Sequence, residues 1–152
     1  MIIRPTRPED VPALKIVLEE TGLFPADMLP GMLSGFLADG DGADVWLTSE
    51  VKGQAAGFCY AVPEKLTDGT WNMLTIAVLP SAQGGGLGKA IVASLEDTLR
   101  LRGNRLLIAD TCGTEQFAQV REFYRKCGYT EEARIRDFWA AGDDKITFRK
   151  EL

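Results

Sequence analysis

Apolar positions change period along the chain, and each change of period predicts an element. Ile2-Ile3 before Pro5 reads as a short strand, after which Val11, Leu14, Val17 and Leu18 share one helical face, with Asp10 placed to cap the helix and Pro12 near its start. Met28, Leu29, Met32, Leu33, Phe36 and Leu37 predict a second helix that stops at Asp39-Gly40-Asp41-Gly42. Its internal Gly31 and Gly35 each cost about 1 kcal/mol against alanine, the mark of a mobile or closely packed segment.

The middle of the chain is rich in β-formers: Val45 to Thr48, Ala56 to Val62 and Trp71 to Leu79. Lys52-Gly53 and Asp68-Gly69 fall between these runs, so adjacent antiparallel strands are expected. The period then becomes helical, with Leu87, Ile91, Leu95 and Leu99 spaced by four and Gly103 where a helix terminator belongs. Leu106-Leu107-Ile108-Ala109 is a continuous apolar strand, which completes a β-α-β unit with parallel pairing. A last helix carries Phe117, Val120, Phe123, Tyr124 and Cys127 and ends at Gly128. Two β-rich segments follow, around Ile135 to Trp139 and Lys145 to Phe148, with Ala141-Gly142-Asp143-Asp144 as their turn. The expected fold is α/β in an α+β arrangement: one domain over residues 1–152, a central mixed, mostly antiparallel sheet and about four flanking helices.

Length and composition are consistent with this. A chain of 152 residues, 45% hydrophobic and 26% charged, can bury a core without disulfides. No apolar run approaches the roughly 20 residues of a bilayer span, and the N-terminus lacks a secretory apolar region, so the reading is a cytoplasmic protein with no membrane role. With no histidine, and with Cys59, Cys112 and Cys127 widely spaced, neither a metal site nor a Cys-His nucleophile is expected; lone cysteines are ordinarily small buried residues. A net charge of -5 argues against nucleic acid as a partner and mildly favours a cationic acceptor.

The informative junction is strand, glycine-rich turn, helix: Gln83-Gly84-Gly85-Gly86-Leu87-Gly88-Lys89 follows one predicted strand and opens the next helix. Backbone amides at a helix start lack partners and sit at the positive end of its dipole, so a diphosphate is a natural ligand. The P-loop register fails, because it needs glycine where Gln83 stands and Ser or Thr where Ala90 stands. The dinucleotide fingerprint fails too, since it would need glycine in place of Lys89 or Ile91. A tight connection with no ligand is the plainer alternative for such a turn.

Val78, Pro80, Gln83, Gly86 and Gly88 meet the motif V-x-P-x-x-[QR]-x-x-G-x-[GA], and in this the sequence resembles the GNAT superfamily of N-acetyltransferases. The order of predicted elements matches that fold over nearly the whole chain. The resemblance implies acetyl-CoA as co-substrate, with its pyrophosphate on the amides of Gly84, Gly85, Gly86, Leu87, Gly88 and Lys89. It also implies that the backbone of Ile76, Ala77 and Val78 pairs with pantetheine like an added strand where the neighbouring strand splays away. Phe123-Tyr124-Arg125-Lys126-Cys127-Gly128-Tyr129 resembles the family's later motif, which makes Tyr124 the candidate general acid; a core aromatic is its structural alternative. The family often has Asn where Phe117 stands.

Of the carboxylates at predicted strand ends, Glu64, Asp110 and Asp137, Asp110 ranks first as base, because it closes the strand after the cofactor-binding helix. Trp71, Asp137 and Trp139 are candidates to line an acceptor pocket through cation-π and charge contacts, with the two indoles as a packed pair the level alternative. The tail from Asp137 to Lys145 resembles that of a subgroup of small bacterial GNAT proteins. The reading is an N-acetyltransferase moving acetyl from acetyl-CoA to a primary amine of a small molecule or peptide, with room for a homodimer. Its alternative is a non-catalytic acyl-CoA-sensing or partner-binding module.

Overall fold

The computed structural model describes residues 1–39 and 43–152. Among these described residues are four α-helices and one seven-stranded sheet. In chain order they are β1 (Ile2–Pro5), α1 (Val11–Thr21), α2 (Leu29–Asp39), β2 (Val45–Val51), β3 (Gln54–Pro63), β4 (Thr70–Val78), α3 (Leu87–Leu101), β5 (Leu106–Cys112), α4 (Ala118–Lys126), β6 (Thr130–Ala140) and β7 (Asp143–Glu151). The stop expected for α2 at Asp39-Gly40-Asp41-Gly42 falls on residues 40–42, outside the described ones.

Strands run in the order β1-β2-β3-β4-β5-β7-β6. The expected meander β2-β3-β4 is antiparallel, and β4 and β5 form the parallel pair that α3 crosses over. The closing strands are longer than the sequence pattern predicts, and their turn narrows to Ala141-Gly142. All of β6 is exposed, so burial could not mark its ends in the sequence. Asp10 also differs from expectation: it precedes α1 but makes no side-chain cap. Its carboxylate instead accepts hydrogen bonds from the Arg4 guanidinium at 2.7 and 2.8 Å and from the Arg7 amide at 2.8 Å.

Each face of the sheet has its own core. On one face α3 and α4 bring Ile91, Leu95, Leu99 and Tyr124 onto Met73, Leu107 and Ala109. On the other, α1 and α2 bring Leu14, Leu18, Leu29 and Leu33 onto Trp46 and Phe58. Strict alternation along β5 gives Leu107 and Ala109 to the first face and Asp110 to the second. Cys59 and Cys127 are buried, as lone cysteines ordinarily are, while Cys112 is half-buried.

Candidate active site

The parallel pairing of β4 with β5 is brief. Thr70, Trp71 and Asn72 pair with Leu106, Leu107 and Ile108, and there the ladder ends. Antiparallel pairing of β4 with β3 continues to Val78, with a β-bulge where Tyr60 and Ala61 oppose Thr75 and Met73 and Leu74 is the extra residue. A bulge bends its strand and shifts the alternation of side chains. Met73 and, beyond the bulge, Ile76 and Val78 all turn to the α3/α4 face. The same bend leaves the β5 side of β4 without a partner strand after Asn72.

Backbone parity decides which groups face that opening. Leu79 donates its amide to the Ala56 carbonyl on β3 at 2.8 Å, so alternation turns the backbone polar groups of Val78 and Ile76 the other way. The Val78 carbonyl accepts a hydrogen bond from Gln83 Nε2 at 3.0 Å, which ties the glycine turn to the end of β4. Ala77 is the exception among the three residues expected to pair with pantetheine. Its backbone parity is that of Leu79, toward β3, and its side chain is buried against the α1/α2 core.

The turn reaches α3 through Gly84 and Gly86, at φ +83° and +84°, a left-handed backbone that favours glycine. A Cβ on Gly84, Gly85 or Gly86 would meet no atom within 4 Å, so the surface above these amides is open. No side chain caps α3. The amides of Leu87, Gly88 and Lys89 at its first turn have no intrahelical acceptor by their position and gain none from a cap, and the helix dipole adds positive potential there. Gly88 has a different cause: a Cβ there would lie 3.2 and 3.3 Å from the Phe123 ring, so its smallness lets α3 approach α4.

Between these parts lies a cleft of about 460 Å³. Of the residues expected at the cofactor, Ile76, Val78, Gln83, Gly84, Gly86, Leu87, Gly88 and Lys89 line it. So do Gln119, Val120, Phe123 and Lys126 of α4 and Cys127 just past its end, which the glycine motif could not reveal. Their signal in the sequence is the amphipathic spacing of α4. Lys89 and Lys126 give the cleft two cations. Phe117 does not line it, in keeping with its departure from the family's usual Asn.

Tyr124 is 4% exposed, enclosed by the rings of Phe123, Tyr129 and Phe148 at centroid distances of 5.5, 5.9 and 5.3 Å. Burial above all, and then the neighbouring Cys127, Asp110 and Cys59, holds its phenol well above the usual range, so it keeps its proton at neutral pH. Asp110 lies two residues past Ile108, the last β5 residue paired with β4, at a position paired with Thr147 of β7 and on the opposite face of the sheet from Tyr124. Its Oδ1 accepts from the Thr147 hydroxyl at 2.6 Å and its Oδ2 from Asn72 Nδ2 at 3.3 Å, with Lys145 Nζ at 3.9 Å. Asn72 Nδ2 also donates to Glu64 Oε1 at 2.9 Å, so two of the three candidate carboxylates meet on one amide.

The third carboxylate is elsewhere. Asp137, at φ +55°, accepts the Gly142 amide at 2.8 Å and shapes the β6–β7 turn. Trp139 is half-exposed, packs edge-on against Phe138 at 4.7 Å, and donates its indole N–H to the Thr111 carbonyl at 3.3 Å. Lys145 Nζ sits 4.3 Å from the centre of the Phe138 ring, which carries this aromatic pair to the edge of the Asp110 cluster. Trp71 does not join it. Its side chain is 6% exposed and belongs to the α3/α4 core, because it alternates with Asn72 on β4; an aromatic strand residue reads alike for either face. No group of side chains able to hold a metal ion occurs among the described residues.

Residues 41–131 match the family described as acetyltransferase (GNAT) domain. A structure from Desulfovibrio desulfuricans assigned to the GNAT family of acetyltransferases is 34% identical, with a TM-score of 0.91 over 99% of this chain and 98% of that one. The ribosomal-protein-alanine N-acetyltransferase of Brucella melitensis is 22% identical, with a TM-score of 0.81 and full coverage of both chains (100% and 100%). YncA of Salmonella typhimurium, solved with its cofactor acetyl-CoA, is 20% identical, with a TM-score of 0.80 over 100% of this chain and 94% of that one. No curated protein matches the sequence.

Proposed function

The chain belongs to the GNAT acetyltransferases, and from that premise we propose that it moves acetyl from acetyl-CoA directly to a primary amine of a small molecule or exposed peptide. One observation carries the reading: the cleft joins the unpaired edge of β4 to the uncapped start of α3, a strand edge beside an anion cradle. YncA, a structural neighbour, holds acetyl-CoA. The shape here suits the same molecule. Amides from Gly84 to Lys89, with Lys89 and Lys126, take the pyrophosphate, and the outward backbone groups of Ile76 and Val78 take the pantetheine arm.

Acetyl-CoA supplies the activated acetyl group, and the chain's own residues manage protons and position. A neutral amine must attack the thioester carbon, forming C–N as C–S breaks; one proton leaves the nitrogen and one reaches the sulfur. Asp110, on the face opposite Tyr124, accepts the amine's proton directly or through water. Tyr124, protonated at neutral pH, donates a hydrogen bond to the departing sulfur. Glu64, Asp110 and half-exposed Trp139 make the acceptor side acidic and aromatic, which favours a cationic amine. The Brucella neighbour acts on an alanine of a ribosomal protein, so a peptide amine belongs in the acceptor panel.

Calorimetry with acetyl-CoA, followed by a thiol-release screen over amines, polyamines, amino acids and peptides, tests the reading. We expect binding that Gly86→Glu abolishes, since a carboxylate would then stand over the cradle. Failure of the wild type to bind, or unchanged binding by Gly86→Glu, would sink it.

A further inference from the structure

Asn72 is the polar residue that the strand pattern leaves unexplained. It occupies the last β4 position paired with β5, and its side chain is 94% buried, 6% being exposed. Both N–H bonds of its amide are spent on carboxylates, Glu64 Oε1 at 2.9 Å and Asp110 Oδ2 at 3.3 Å. Its Oδ1 is buried with no hydrogen-bond partner among the described residues. A buried carbonyl without a donor bears its full desolvation cost, which an apolar side chain of similar shape would avoid. The orientation of the amide follows from the same contacts: turning it over would aim Oδ1 at two carboxylates.

An amide that tethers two partly exposed carboxylates at the expense of its own oxygen serves placement rather than stability. We propose that Asn72 is a positioning residue, holding Asp110 Oδ2 at the mouth of the opening between β4 and β5 so that the carboxylate meets the attacking amine. This rests on the acetyl-transfer reading above. Asp110 then has one anchor on each oxygen, Thr147 on Oδ1 and Asn72 on Oδ2. Glu64 takes the second N–H of Asn72 and fixes the rotation of the amide, and Lys145 tempers the charge of the pair. Without Asn72 the carboxylate keeps the Thr147 hydrogen bond on Oδ1, while Oδ2 loses its hydrogen bond and keeps only the 3.9 Å ion pair with Lys145, so it can swing about Oδ1.

The test compares wild type, Asn72→Leu and Asn72→Asp, with putrescine, benzylamine and a peptide bearing a free N-terminal alanine as acceptors. Acetyl-CoA affinity comes from calorimetry and folding from thermal unfolding. The expected result is a kcat lower by about ten- to a hundredfold, the cost of a misplaced reacting group, with acetyl-CoA affinity unchanged. Asn72→Leu should also melt no lower than wild type, because it removes the unpaired oxygen. Retained kcat in both variants overturns the inference, and so does a kcat loss that comes with a lower melting temperature and weakened acetyl-CoA binding in both, the signature of a structural role. A wild type that binds no acetyl-CoA, or binds it and releases no thiol across the full panel of amines, polyamines, amino acids and peptides, overturns the acetyl-transfer reading and this inference with it.

Discussion

Tyr124 reaches its place as an aromatic of the core and would act there as a proton-bearing group, so substitution can separate the two roles. Phenylalanine keeps the ring contacts with Phe123, Tyr129 and Phe148. Tyr124→Phe should therefore melt with wild type and bind acetyl-CoA normally, while kcat falls by about a hundredfold, the low end for a positioned acid. Steady-state thiol release checks it, and unchanged turnover would return Tyr124 to packing alone. Gly88 poses the reverse question, since its motif position suggests the cofactor while its geometry points to Phe123. Gly88→Ala should cost about 1–3 kcal/mol by overpacking, and Phe123→Leu in the same chain should recover much of it by giving the new methyl room. Urea unfolding of the two single variants and the double measures that coupling. The motif identifies such a glycine without separating a ligand's needs from a helix's; only the neighbouring ring does so.

Helix α3 carries one charge into the core, and it links three elements. Glu96 is 3% exposed, and Lys150 of β7 donates to its Oε2 at 3.1 Å and to the Cys127 carbonyl at the end of α4 at 2.9 Å. Removing the lysine strands a carboxylate in the core; removing the glutamate leaves a lysine with 27% of its side chain already in water. Lys150→Ala should then cost about 3–5 kcal/mol, and Glu96→Leu clearly less, as read by urea unfolding at neutral pH. Equal costs would mean that the pair acts through packing alone. The sequence displayed α3 by its fourfold leucine spacing but not Glu96, because a carboxylate beside an apolar stripe reads as solvated until β7 supplies its partner. The β2-β3-β4 meander and the β4-α3-β5 crossover were likewise legible, since turn residues and period marked them. Three features were not: β7 lies between β5 and β6, β4 bulges at Leu74, and its pairing with β5 ends at Asn72. Each depends on contacts between segments far apart in the chain, which no local period records. The glycine turn was legible because its cause is local backbone geometry, whereas the Glu64–Asn72–Asp110 cluster gathers one side chain from each of three separate segments.

At the scale of the whole molecule, the first strand and first helix are joined to the sheet by charge as well as by packing. Arg4 of β1 donates to Asp10, ahead of α1, and to Glu50 of β2 at 3.0 and 3.2 Å. Burial alone would raise the Asp10 carboxyl, but the Arg4 hydrogen bonds, the Arg7 amide and the Arg4 charge outweigh it and hold the group below its usual 3.8. A carboxyl whose folded value is depressed binds protons more readily in the unfolded chain. Its contribution is therefore complete above pH 3.8 and is lost as pH falls through the lower folded value. Asp144, lowered by the Asp137 amide and Arg134, has the same sign at the exposed β6–β7 turn. Urea midpoints should accordingly hold level through the weakly acidic range and drop below about pH 4. Asp10→Asn should flatten part of that drop while lowering the neutral plateau, because the amide cannot pair with Arg4 as an anion. An acid limb identical in Asp10→Asn and wild type would locate the proton uptake elsewhere and leave β1 and α1 held to the sheet by their apolar face.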